Sequence, residues 1–248
     1  MIPKTIYYVW FGGKALPDDV IKNIESWKKF NPEYEIVQID ETRGDLFNYT
    51  DYEFSNSAYQ SEKWAFVSDI ARLHVIYQKG GIYLDTDVEV LRPLDDIFLD
   101  YSEIWAKENS YTVATGLFFA AKKNSENIKN ILNIYRKKNF SNDNLKEIST
   151  VNIISKYFWS KGLCIQNDRI TTIGDSAFYP THSFAPIHYW GGGKIISTSY
   201  AVHKYKASWL PDNNKPLRFI QYSLRWAFNQ MTLKNQFCAR TIAKIKYR

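Results

Sequence analysis

The stretch from Thr5 to Ile39 constrains the fold more than any other part of the chain. TIYYVW, residues 5–10, reads as a buried strand closed by the Gly12-Gly13 pair. Val20, Ile21, Ile24 and Trp27 then recur at helical spacing behind Asp18 and Asp19, and Asn31-Pro32 ends the element. YEIVQI, residues 34–39, alternates as a second strand. Strand, helix and strand in so short a span form a βαβ unit. It predicts an α/β class, a mostly parallel central sheet, and ligands gathered at the carboxyl ends of the strands.

With 248 residues the chain can bury a substantial core without disulfides or structural metal. Its two cysteines, Cys164 and Cys238, set no disulfide framework. The opening residues MIPKTIYYVWFGG lack the basic and apolar regions of a signal peptide, and no window reaches the length of a membrane span. A reduced, cytoplasmic setting is therefore expected. Aromatic residues make up 17% of the chain, an excess that fits core packing, ring stacking or a membrane surface equally well.

Carboxylates interrupt the next hydrophobic pattern. SEKWAFVSDIARLHVIYQKGG, residues 61–81, reads as a strong helix closed by glycine, and GGIYLDTDVEV, residues 80–90, follows as a strand. Alternation along that strand places Asp85, Asp87 and Glu89 on one face. An acidic face can simply meet water. Here, however, GIYL looks buried, and a parallel strand leaving a core delivers its first polar residues to the ligand-binding end of the sheet. Two carboxylates brought there repel each other and call for a positive partner. Oxygen ligands suit Mg²⁺ or Mn²⁺, with positions left open for phosphate oxygens.

Asp69 and Arg72 stand three residues apart in the preceding apolar helix and face the same way. They could form a local ion pair. Alternatively, Arg72 clamps a phosphate with its fork of donors while Asp69 orients it or takes sugar hydroxyls. At the end of the first strand, Gly12 and Gly13 permit close backbone approach, and Trp10 either stacks a base or plugs the sheet end.

VWFGG (residues 9–13), SDIARLHVIYQKGGIYLDTDV (68–88), FYP (178–180) and HKYKASW (203–209) together resemble the DXD-containing glycosyltransferases of the GT-A, Rossmann-like nucleotide-sugar fold. The resemblance is to the bacterial capsular-polysaccharide type grouped with yeast mannosyl chain initiators in glycosyltransferase family 32. Clostridial glucosylating toxin domains are more distantly similar. It implies a retaining transferase that moves a hexosyl or N-acetylhexosaminyl group from a nucleoside diphosphate sugar, UDP-linked in the first instance, onto a surface glycan. Val9, Trp10, Gly12 and Tyr83 would then belong to the donor site, with Trp10 against the base. Asp69 and Arg72 would hold sugar and phosphate. Asp85 would contact ribose and approach Mn²⁺ or Mg²⁺, Asp87 would bind the ion more directly, and His203 would return as a metal or diphosphate contact. Ser208 and Trp209 would cap the diphosphate. Where the family often carries two adjacent histidines, this chain has Val202-His203 and so a single imidazole. Asn109 to Gly116 and Asn167 to Thr172 would border the acceptor.

The formal charge of +6 is unevenly spread. Residues 213–248 hold eight basic side chains and no acidic one, so the preceding part carries a net charge of −2. Leu217, Ile220, Leu224, Ala227, Phe228 and Met231 trace a helical stripe there. The expected organisation is a single domain over residues 1–210 and a basic amphipathic extension over 211–248. That extension could pack on the domain, bind a partner or lie on anionic lipid; no nucleic-acid-reading module accompanies it. Two rivals to a transferase are a metal-dependent sugar nucleotidyltransferase and a non-catalytic glycan- or membrane-binding protein.

Overall fold

The computed structural model describes residues 1–97, 101–189, 192–205, 223–224, 226–227, 231 and 235–247. Strand β1 (Thr5–Val9) lies between β2 (Glu35–Ile39) and β3 (Gly81–Tyr83), parallel to both. The intervening helix α1 (Asp18–Phe30) completes the expected βαβ unit. β1 is apolar throughout because both its faces are covered: Tyr7 and Val9 join one core cluster, Ile6 and Tyr8 the other.

Beyond β3 the sheet is mixed rather than mostly parallel. Its order is β2-β1-β3-β7-β5-β9-β8, where β5 is Glu103–Asn109, β7 Phe119–Ala121, β8 Thr171–Ile173 and β9 Ser176–Tyr179. A further short strand, β6 (Thr112–Val113), pairs with β5. Pairings β3–β7, β5–β7, β5–β6 and β8–β9 are antiparallel, and β5–β9 is parallel. Connection length is the reason. The run TVATGLFFAAK, residues 112–122, reads in sequence as one strand but is broken by a turn around Thr115–Leu117 and folds back beside β5. So short a link cannot make the crossover of a dozen or more residues that parallel pairing requires. The two-residue turn Gly174-Asp175 between β8 and β9 imposes the same outcome.

Helices cover both faces. On one side α2 (Glu53–Gln60), α3 (Trp64–Lys79), α4 (Glu126–Tyr135) and α6 (Thr150–Ser160), which the short α5 (Leu145–Ile148) precedes, pack through Phe54, Val67, Ile70, Leu132 and Phe158. On the other side α1 and α7 (Thr181–Phe184) pack with a separate two-stranded ladder. This ladder joins β4 (Val88–Val90) to β10 (Ala201–His203), antiparallel, with His203 opposite Val88. A last helix, α8 (Gln236–Tyr247), buries Ala239, Ala243 and Tyr247.

The single strand expected within residues 80–90 is thus two strands separated by a turn. β3 ends at Tyr83, Val88 N–H closes onto the Asp85 carbonyl at 3.0 Å, and β4 restarts in the other sheet. α1 holds the turn from below. Asn23 Nδ2 donates to the Thr86 carbonyl at 2.8 Å, Trp27 Nε1 to the Val88 carbonyl at 2.8 Å, and Ser26 Oγ accepts from Val90 N–H at 3.0 Å. Asn23 Oδ1 also accepts from Lys204 Nζ at 2.7 Å, so one fully buried amide ties α1, the turn and the segment after β10 together. Removing that amide leaves the half-buried Thr86 carbonyl without its partner. Asn23→Ala is expected to cost about 1–3 kcal/mol in urea denaturation; an unchanged midpoint would mean that the turn does not depend on α1.

Candidate active site at the acidic turn

The break in the strand changes where the carboxylates go. Asp85 and Asp87 sit in the turn and converge with His203 from the end of β10; one ligand atom from each lies within 4.8 Å of the others. His203 Nε2 is 2.9 Å from Asp87 Oδ1 and 4.0 Å from Asp85 Oδ2. Glu89, expected on the same face, lies beyond the turn and pairs with Lys204 at 3.0 Å. Strand alternation fails for Glu89 because no continuous strand exists to carry it.

Arg72 reaches the same place from α3. Its guanidinium, 5% exposed, lies 3.1 Å from Asp69 Oδ1 and 3.4 Å from Asp85 Oδ1, donates through Nε to the Ser68 carbonyl at 3.1 Å, and stacks over Tyr83 at 4.7 Å. Tyr83, itself buried, donates its hydroxyl to Asp85 Oδ1 at 2.9 Å. Asp69 is turned inward: it accepts from Thr150 Oγ1 at 2.8 Å and from Thr150 N–H at 3.3 Å, at the start of α6. The i,i+3 spacing therefore makes a buried pair, with Arg72 spanning from Asp69 to the acidic turn.

These placements set the charges. Burial pushes Asp69 up to about 6, despite Arg72 and Thr150. Burial also opposes ionisation of Asp85, but Arg72, then His203 and Tyr83, bring it down to about 2. For His203 burial favours the neutral ring, yet Asp85 and Asp87 outweigh it and raise the imidazole to about 9. Two carboxylates and an imidazole converging at one point fit a divalent cation, with His203 protonated when no ion is present.

Val9, Trp10 and Gly12 lie at the end of β1. Val9 is buried and pairs with Ile39; Trp10 is half-buried, packs on the core and donates through Nε1 to the Lys14 carbonyl at 2.6 Å. Gly12 N–H donates to Glu41 Oε1 at 2.7 Å. Ser208, Trp209 and half of the 217–231 stripe, Leu217, Ile220 and Phe228, lie outside the described residues.

Four residues to which the sequence assigns no part in the acidic centre contribute to it. Gly116 N–Cα–C passes so close to the acidic turn that a Cβ there would stand 2.1 Å from Asp85 Oδ2, and its carbonyl accepts from Asp85 N–H at 3.0 Å. Thr150 holds Asp69 from 81 residues away in sequence. Glu108 and Tyr205 adjoin His203: the Tyr205 ring meets the imidazole edge-to-face at 4.3 Å, the Tyr205 backbone nitrogen stands 3.2 Å from Nδ1, and burial raises the Glu108 carboxyl against the pull of His203. Only the glycine left a sequence signal, a small residue between apolar runs.

Residues 17–111 match the family model described as a glycosyltransferase sugar-binding region containing a DXD motif. That span takes in α1, α3 and the acidic turn and leaves Trp10 and His203 outside. The chain is 26% identical over 122 residues to an initiation-specific alpha-1,6-mannosyltransferase of Candida albicans, covering 46% of this chain and 32% of that protein. It is 30% identical over 110 residues to inositol phosphoceramide mannosyltransferase 3 of Schizosaccharomyces pombe, covering 44% and 30%. The chain thus spans only about a third of the length of these relatives. Among solved structures the PaToxG glycosyltransferase superposes with a TM-score of 0.53 at 18% identity, over 65% of this chain and 69% of that one, a likeness of fold. The molecule is thus an α/β domain with a mixed central sheet, consistent with a GT-A-like fold, whose residues 17–111 resemble a DXD-type sugar-binding region.

Two measurements probe the acidic turn. Gly116→Ala is expected to displace the Asp85 carboxylate and weaken Mn²⁺ binding by at least about tenfold, whereas Gly44→Ala, where a Cβ meets open space, leaves it unchanged. Because the metal-free His203 is raised to about 9, Mn²⁺ uptake at pH 7.5 should release close to one proton. Calorimetry in two buffers of different ionisation enthalpy reads this directly, and apparent affinity should rise about tenfold per unit between pH 7 and 8.5. The folding linkage runs the other way. Without metal, the raised pKa of His203 contributes stability that is complete below about 6.5, the ordinary histidine value, and is lost as pH climbs through about 9.

Proposed function

We propose that this protein is a divalent-cation-dependent glycosyltransferase that moves a sugar from a nucleoside diphosphate donor onto a glycan acceptor. The observation that carries the proposal is the meeting of Asp85, Asp87 and His203 with Arg72 behind them, where β1 and β3 end. A triad of this kind suits Mn²⁺ or Mg²⁺, which when bound would neutralise charge on a departing diphosphate. The match to a DXD-type sugar-binding region and the mannosyltransferase names of the two relatives support transfer over nucleotidyl chemistry.

The chain's own residues have separate tasks. Asp85 and Asp87 present oxygens, and His203 a ring nitrogen, from one pre-set turn. Arg72, held by Asp69, Ser68 and Tyr83, keeps Asp85 ionised and brings positive potential to the phosphate end, stabilisation that is fixed before reaction and needs no rearrangement. Asp69 acts through Arg72 as a positioning group. By the sequence resemblance, Val9, Trp10 and Gly12 would belong to the nucleoside end of the donor site, and Ser208 and Trp209 would cap the diphosphate.

The finer assignments rest on the sequence resemblance: retention of configuration, a UDP-linked hexose or N-acetylhexosamine, and capsular or surface polysaccharide as product. Residues 1–210 would be the catalytic unit, working on the cytosolic side of the cell membrane where nucleotide sugars are made.

A thermal-shift screen of nucleoside diphosphate sugars with and without Mn²⁺ should find a donor that stabilises the protein only when the ion is present. Asp87→Asn should lose that shift together with transfer, by at least about 100-fold in kcat/KM, about 2.7 kcal/mol of transition-state stabilisation. Near-normal transfer by this variant would overturn the assignment, and release of inorganic diphosphate instead of nucleoside diphosphate would identify a nucleotidyltransferase.

A further inference from the structure

Helix α8 has two faces that do different things. Ala239, Ala243 and Tyr247 are buried against Tyr111 and Ile165, and the Tyr247 hydroxyl lies 3.1 Å from Thr112 Oγ1. This face docks on the turn between β5 and β6 and on α6. The opposite face carries Phe237, Arg240, Thr241, Lys244 and Ile245, all exposed, with Phe237 and Ile245 each 77% accessible. Cations sit between apolar side chains on one surface, and no acid lies anywhere in residues 213–248 to balance them.

The same pattern extends upstream. Eleven large hydrophobic side chains are exposed among the described residues, and five of them, Leu224, Trp226, Met231, Phe237 and Ile245, fall between residues 224 and 245. Exposed hydrophobic side chains recurring along a uniformly basic segment fit an anionic interface, where rings and aliphatic chains enter the headgroup boundary and Lys and Arg meet lipid phosphates. No described helix is long and apolar enough to cross a membrane, so the contact would lie along the surface.

We infer that the outer face of α8 is a docking surface for an anionic lipid bilayer, while its inner face fixes that bilayer beside the β5–β6 edge of the cleft. Packing and lipid binding are then not alternatives for this segment, since they use different sides of one helix. The orientation has a functional meaning that rests on the transferase reading: Asn109 to Gly116 would border the acceptor, so an acceptor held at a membrane would reach the cleft from the α8 side. The lipid contact itself does not depend on that reading.

The test is sedimentation of the full chain with vesicles of equal phosphatidylglycerol and phosphatidylcholine, against vesicles of phosphatidylcholine alone. Two double variants, Arg240→Glu with Lys244→Glu and Phe237→Ser with Ile245→Ser, leave Ala239, Ala243 and Tyr247 in place, and an unchanged melting temperature certifies their fold. Wild type should bind the anionic vesicles only, and each variant should lose at least about tenfold in partitioning. Donor-dependent thermal shifts should be unaltered in both, which separates loss of lipid binding from failure of the transferase assignment. Equal binding to neutral vesicles, no binding by wild type, or variants that bind like wild type would each overturn the inference.

Discussion

Two carboxylates, Asp85 and Asp87, are forced together by a tight turn, and the surrounding molecule is arranged to make that tolerable. Like charges a few ångströms apart in a half-buried place cannot both stay ionised without compensation. Arg72 supplies it from one side and His203 from the other. Arg72 is itself a buried cation, and it persists there because Ser68 and Asp69 accept from its Nε and Nη2 and Tyr83 covers its face. The charges of the site are thus balanced as one network, and removing any member leaves another uncompensated.

That network also explains how the fold is distributed around it. α3 brings Asp69 and Arg72 from above β1 and β3, α1 grips the turn from the opposite face, and α6 contributes Thr150 at its first residue. No single element could do all of this. A site at the ends of parallel strands lies where helices from both layers and the returning ladder can all reach it.

Much of this was legible in the sequence, for identifiable reasons. The βαβ unit announced itself through a strand buried on both faces, an amphipathic helix and an alternating strand, each with local punctuation. Asp69, Arg72, Asp85 and Asp87 stood out because charged residues in apolar runs need a task, and His203 followed from resemblance to known sequences. What could not be read was set by distance or by tertiary closure. The strand break at Asp85 depends on hydrogen bonds from Asn23 and Trp27, which no local pattern reveals. Antiparallel β7 follows from a turn inside an apolar run that reads as one strand. Thr150 and Glu108 matter through what they face, and a linear pattern carries no record of that.

The ladder between Val88–Val90 and Ala201–His203 joins segments separated by roughly half the chain. Local elements such as α1 and α3 can form early, but this pairing must await closure of a long loop, whose entropic cost is met only once most of the sheet exists. The imidazole therefore joins the carboxylates among the last steps of folding. During synthesis the acidic turn emerges from the ribosome well before its third partner, so a nascent chain short of His203 has both carboxylates and no competent centre.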